Sequence, residues 1–128
     1  MDNFKLDTKE KFNVITPKTS NISDITADEL RQLLEKQLEK PTKNVIINLE
    51  NVETVTPEVA EMFAETASQY MEANSSFVIC HASKSVKKVL DEMELLDILN
   101  ITPTESEAWD IVQMEEIERE LLSGDEEK

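Results

Sequence analysis

Strands that alternate with helical stretches, after an opening hairpin, predict an α/β domain with a mixed β-sheet and about four packed helices. Three features of the chain carry that reading. Residues 4–8 (FKLDT) and 12–17 (FNVITP) alternate apolar with polar side chains across a short basic turn, as a β-hairpin does. Residues 45–49 (VIINL) and 77–80 (FVIC) are nearly unbroken apolar runs, the pattern of strands covered on both faces. Each is followed by a hydroxyl residue able to cap an amphipathic helix. With 128 residues the chain has the length of one domain. That domain is expected over residues 1–122, with a frayed acidic tail over 123–128.

The first helix is expected over residues 26–40. Thr26 and Glu29 have capping-box spacing, Ile25 and Leu30 fall at the positions of a hydrophobic staple, and Pro41 supplies a stop. Leu30, Leu33, Leu34 and Leu38 would pack on the sheet. Pro17 cannot donate to a ladder, so the second strand ends there or lies at an edge. In the central unit Thr56 is the N-cap, Pro57 takes the first helical position where its missing N–H costs nothing, and Glu58 faces the positive end of the macrodipole. Val59, Phe63, Ala67 and Tyr70, with Ala60, Ala64 and Met71 beside them, form the apolar stripe of this second helix.

Asn74-Ser75-Ser76 closes that helix, and after the strand at 77–80 either Ser83 or Ser85 caps a third carrying Val86, Val89, Leu90 and Met93. Leu95, Leu96, Ile98 and Leu99 lead into a short strand near Ile101. Thr104 with Glu107 opens a last helix that is expected to turn Ala108, Ile111, Val112 and Met114 inward, continuing toward Ile117, Leu121 and Leu122 until Gly124 stops it. Gly124 is the only glycine. Tight turns must therefore use Asn, Asp and Ser.

The net charge is −15, and it is unevenly spread. Residues 1–43 hold 8 acidic and 8 basic side chains, whereas 44–128 hold 20 against 5. Such a surface repels polyanions, which argues against nucleic acid or an anionic membrane as direct ligand and favours a basic protein partner. No apolar run reaches the roughly 18 residues of a membrane span, and the N-terminus lacks a signal-peptide core. A soluble, cytoplasmic protein is expected. Cys80 is the only cysteine, so an intrachain disulfide is excluded.

Residues 45–70, VIINLENVETVTPEVAEMFAETASQY, resemble the central segment of STAS domains, the anti-sigma-factor antagonist family, in which a buried strand ends in Asp and a loop leads to an Asp-Ser-Ser-Gly turn opening a helix. Asn48 stands in the place of the strand Asp, and Thr56, Pro57, Glu58 and Val59 occupy the turn. SKSVKKVLDEMELLDILNITPTESEAW is similar to the closing half of the family, so the resemblance covers about residues 4–114. It implies a STAS fold and a non-enzymatic role in partner switching. The implied partner is a histidine-kinase-fold anti-sigma factor or a related signalling protein, with the chain itself a monomer or weak homodimer and no cofactor needed. In phosphorylatable members the second Ser of the turn is modified by a partner kinase; here that position is Glu58, which implies a copy that is constitutively competent, constitutively off or regulated elsewhere. The same resemblance admits an alternative, a small cytoplasmic STAS subunit bracing the ATPase of an ABC-type lipid transporter.

The candidate contact residues are Thr54, Thr56, Pro57, Glu58, Glu61 and Glu65, and Thr56 is the candidate for phosphorylation. An ordinary capped helix start explains the same residues without partner contact. Glu58, Glu61, Glu65 and Glu72 recur at helical spacing, which fits either a solvated face or a docking stripe for a basic surface. Lys84, Lys87 and Lys88 line an anion site or only balance local charge. Cys80 and His81 adjoin on a strand and so point to opposite faces, which rules out a nucleophile–base pair between them; one Cys and one His also fall short of a zinc site. If the last turns of the final helix project, Trp109, Met114, Ile117, Leu121 and Leu122 offer an amphipathic docking helix; otherwise they are core.

Overall fold

The computed structural model describes residues 3–127, the last five of them as backbone alone. One sheet holds β1 (Phe4–Thr8), β2 (Asn13–Pro17), β3 (Val45–Asn48), β4 (Phe77–Cys80) and β5 (Asn100–Thr102), in that order in space as in sequence. β1 and β2 form the antiparallel hairpin, with Leu6 opposite Ile15, and β2 to β5 run parallel. The three parallel crossovers are α1 (Asp24–Gln37), α2 (Pro57–Glu72) and α3 (Lys84–Glu92). Right-handed crossovers that all step the same way must leave their helices on one face. The fourth helix, α4 (Glu105–Glu127), is free to cover the other.

Side-chain alternation along the strands confirms two layers of core. Ile15, Val45, Ile47, Phe77 and Ile79 pack with Leu30, Leu34, Val59, Phe63, Val86 and Leu90 of the three crossover helices. Val14, Ile46, Val78 and Cys80 point the opposite way, against Ala108 and Val112 of α4. Both flanks of the sheet are thereby closed, which is why β3 and β4 read as continuous apolar runs. The Tyr70 ring packs tilted against Phe77, with centroids 5.5 Å apart, and its buried hydroxyl donates to the Leu34 carbonyl at 2.8 Å. That carbonyl is one of the four at the end of α1 that lack a partner within the helix.

Several elements differ from the sequence reading, each for a local reason. α1 starts at Asp24, because Ser23 rather than Thr26 is the N-cap: its Oγ accepts from the Thr26 N–H at 3.3 Å and donates to Thr26 Oγ1 at 3.1 Å. The earlier start leaves Ile25 76% exposed, so no staple forms. The helix also ends at Gln37, whose buried amide donates to the Thr42 carbonyl, and a tight turn rather than Pro41 stops it. In α2 the buried line runs through Val59, Met62, Phe63, Thr66 and Tyr70, and Met71, one step further round, is 73% exposed. In α4 the inner line is Ala108 and Val112, continued by half-buried Glu115 and Arg119. Met114 therefore points away from the sheet, with Ile117, Leu121 and Leu122 also exposed. α4 runs beyond the stop anticipated at Gly124, while the proposed tail, residues 123–128, falls where side chains lie outside the described residues.

With glycine absent from the turns, left-handed backbone falls to Asn74, His81 and Glu94, at φ 57°, 58° and 59°. Asn74 and Glu94 each follow a helix C-cap and close it in the same way. The next residue donates back across the turn, Ser75 N–H to the Tyr70 carbonyl and Leu95 N–H to the Leu90 carbonyl, both at 2.8 Å. Asn tolerates this conformation; the longer Glu side chain does not gain the same local hydrogen bonding. Glu94→Gly is accordingly expected to stabilise the fold by about 0.5–1 kcal/mol, while Tyr70→Phe costs about 1–2 kcal/mol. Urea unfolding with unchanged m-values checks both.

Candidate functional site

The candidate residues lie where β3 and β4 end. The Leu49 N–H still bonds the Cys80 carbonyl at 3.0 Å, after which the Asn48 side chain accepts from the Glu50 N–H at 2.9 Å and turns the chain out of the sheet. Buried Val52 and Val55 then anchor the loop on the three-helix side. Polar bonds lace it to its neighbours. Toward the β2–α1 loop, the Glu53 N–H donates to the Ser20 carbonyl at 2.8 Å, Asn51 Nδ2 donates to the Pro17 carbonyl at 3.3 Å, and Asn21 bridges Thr54. Toward α3, Ser83 Oγ donates to the Glu53 carbonyl and Ser85 Oγ to Thr54 Oγ1, both at 2.8 Å.

This braced loop delivers α2. Thr56 Oγ1 accepts from the Val59 N–H at 3.3 Å, and Pro57 opens the helix. Thr56, Pro57, Glu58, Glu61 and Glu65 are exposed, and Thr54 is half-buried. Thr54, Thr56, Pro57 and Glu58 make one tip; Glu61, Glu65 and Glu72 continue it along the same side of α2, Glu72 lying ~21 Å from Glu58 at helical rise. Among the described residues the ion pairs are Lys5–Asp7 and Asp28–Arg31, and neither touches this stripe. Asn48, by contrast, is buried and donates to Glu105 Oε1 at 3.4 Å, so it pins the strand end to α4 and takes no part in the exposed surface.

The Ser83 and Ser85 braces escaped the sequence reading. Ser83 does cap α3, accepting from the Val86 N–H at 3.1 Å, but its bond to Glu53 joins residues far apart in sequence, and no local pattern marks that. Lys84, Lys87 and Lys88 are exposed. Cys80 is fully buried, and His81 sits at the strand end in left-handed backbone. Burial, with Glu105 and Glu50 adding to it, pushes the Cys80 thiol up to about 12, which removes the thiolate a nucleophile needs. Among the described residues no group of three or more His, Cys, Asp and Glu side chains could hold a metal ion.

The family model described as STAS domain matches residues 3–108. No curated protein matches the sequence. Among solved structures, a protein of Thermotoga maritima assigned as an anti-sigma factor antagonist superposes with a TM-score of 0.76 at 20% identity, covering 86% of this chain and 94% of its own. An anti-sigma factor antagonist from Mycobacterium paratuberculosis gives 0.75 at 16%, covering 86% and 92%. The anti-sigma factor antagonist SpoIIAA of Bacillus, in its unphosphorylated form, gives 0.71 at 17%, covering 86% and 96%. At these identities the likeness is one of fold.

Two outcomes follow from the site's geometry. Thr56→Ala removes the cap of α2 and should lower stability by about 1 kcal/mol in denaturant unfolding. Folding raises the Cys80 pKa, so the thiol's contribution to stability is whole below the ordinary value of 9.0 and is lost as pH rises toward about 12. At pH 8 a thiol-specific reagent should therefore label native Cys80 on the order of a thousandfold more slowly than the unfolded chain, in proportion to its smaller thiolate fraction.

Proposed function

The chain belongs to the STAS domain family, and from that premise we propose that it is a non-enzymatic protein-binding module of the anti-sigma-factor antagonist type, acting by partner switching through the tip of Thr54, Thr56, Pro57 and Glu58. Glu61 and Glu65 extend the contact along α2. The observation that carries this reading is the exposure of Glu58 at the start of a helix whose preceding loop is bonded to both neighbouring loops. A contact edge already ordered in the free chain loses little conformational freedom on association, which leaves more of the interaction energy for affinity.

Docking at this tip excludes the partner's other ligand, and the unpaired acidic stripe speeds encounter with a basic face. Glu58 carries one charge and two oxygens, against about −1.5 to −2 and three oxygens for a phosphoserine. It therefore holds the position at a constant, intermediate charge, and switching does not run through phosphorylation there. Thr56 is the remaining hydroxyl of the turn. A phosphate on it would meet the positive end of α2, so modification at that residue is electrostatically permitted. The partner we favour is a histidine-kinase-fold anti-sigma factor or related signalling protein, met in the cytoplasm by a monomer or weak homodimer. No described helix is long and apolar enough to cross a membrane.

Affinity capture from the native lysate tests this. Wild-type chain should recover a histidine-kinase-fold protein, and Glu58→Lys should reduce recovery about tenfold or more, as removal of a central charged contact does. Undiminished recovery with Glu58→Lys would move the contact off the tip. Recovery of a transport ATPase with its permease would replace the regulatory reading by the transport one. Intact-mass measurement on native material checks Thr56: a phosphoryl increment that Thr56→Val abolishes places modification there.

A further inference from the structure

α4 extends beyond the segment matched to the family, which ends at residue 108, and its distal turns carry apolar side chains that the domain does not cover. Arg119 ties the helix to the body, its guanidinium donating to Ser76 Oγ and Asn44 Oδ1 at 3.3 Å each. Leu122, just past it, is 66% exposed. Beside Leu122 a cleft of about 290 Å³ opens between the last turns of α2 and residues 115–122 of α4, at the end of the sheet opposite the Glu58 tip. Met71, Phe77, Ile98 and Leu122 give it an apolar lining, and Glu115 and Glu118 stand among the residues around it. Met71 and Ile98 are themselves well exposed. Met114, Ile117 and Leu121 are also exposed, farther round α4, with Glu118 between them and Leu122.

We propose that this cleft and the adjoining face of α4 dock a basic amphipathic helix of a protein partner, its apolar side against Met71, Ile98 and Leu122 and its Lys or Arg side toward the carboxylates of α4. Charge selects that occupant. Residues 105–122 hold 7 acidic side chains against one basic. Arg119, which also lines the cleft, donates inward to Asn44 and Ser76, and Glu105, Glu115 and Glu116 likewise bond Asn48, Ser76 and Asn44, so the carboxylates left exposed are those of Glu107, Asp110, Glu118 and Glu120. A second copy would bring the same acidic helix against itself, and an anionic membrane would be repelled likewise. An apolar helix face flanked by charge is the surface a partner helix reads at spacings of three and four. This docking surface is separate from the tip and does not depend on the reading of Glu58.

A fluorescein-labelled peptide of Leu and Lys in amphipathic order is the probe, with a Leu and Glu peptide of the same order as control, followed by anisotropy at physiological salt. The Lys peptide should bind and the Glu peptide should not. Ile98→Gln combined with Leu122→Gln should weaken binding about tenfold or more, while Ile25→Gln on α1 and Glu58→Lys at the tip leave it within about twofold. All of these side chains are exposed, and unchanged unfolding midpoints verify that the variants fold. Equal binding by every variant, or loss with Glu58→Lys alone, overturns the proposal. A concentration-dependent dimer in sedimentation that Leu122→Gln abolishes overturns it too, since the cleft then belongs to a second copy.

Discussion

β3 is covered on both faces, and the structure depends on holding its two ends. At the start, Asn44 Oδ1 accepts from the Ser76 N–H at 2.8 Å while its Nδ2 donates to the Lys11 carbonyl at 3.0 Å and to Glu116 Oε2 at 3.2 Å. At the finish, Asn48 accepts from Glu50 and donates to Glu105. The two α4 carboxylates fit the strand by length. From Glu105 to Glu116 a helix advances ~16 Å, and from Asn44 to Asn48 a strand advances ~13 Å. One helix thus clamps the central strand at both ends, and a buried amide at each end satisfies backbone groups where the ladder stops.

What projects from the clamp follows from it. β3 cannot shift without breaking Asn48 from Glu105, so the chain always leaves the sheet at the same place, and the Val52 and Val55 anchors with the Ser83 and Ser85 braces carry that fixity to Thr56. The negative charge of Glu58 is thereby presented in one geometry. At the other end, the long helix that clamps β3 overshoots the short sheet and carries unburied leucines past it. Because strand order never reverses, no crevice forms at a switch in topology, the place where open α/β sheets commonly hold small ligands.

Much of this was legible in the residues, and the failures have physical causes. Both apolar strands, the hairpin, and the caps Thr56 and Thr104 read correctly, since period, hydroxyl caps and Pro57 are local signals, whereas of the two candidate caps for α3 only the structure selects Ser83. The start of α1 did not, because Ser23 and Thr26 are both good caps and only tertiary placement decides between them. A helix with apolar residues on two sides gives no unique stripe, so periodicity places Met71 and Met114 on buried faces where the structure leaves them exposed. Glu94 in left-handed backbone had no compositional mark. The tip residues were nominated from the family resemblance and the helix start; their bracing rests on contacts between loops, which periodicity does not encode.

Fixity of the tip in the free chain is the point on which the account turns, and native-state amide hydrogen exchange measures it directly. The N–H groups of Leu49, Val52, Glu53 and Val59 are each bonded within the domain. The account predicts that they exchange slowly, with protection approaching that of β3 itself. Exchange of these four at the rate of an open loop, while β3 stays protected, would contradict it.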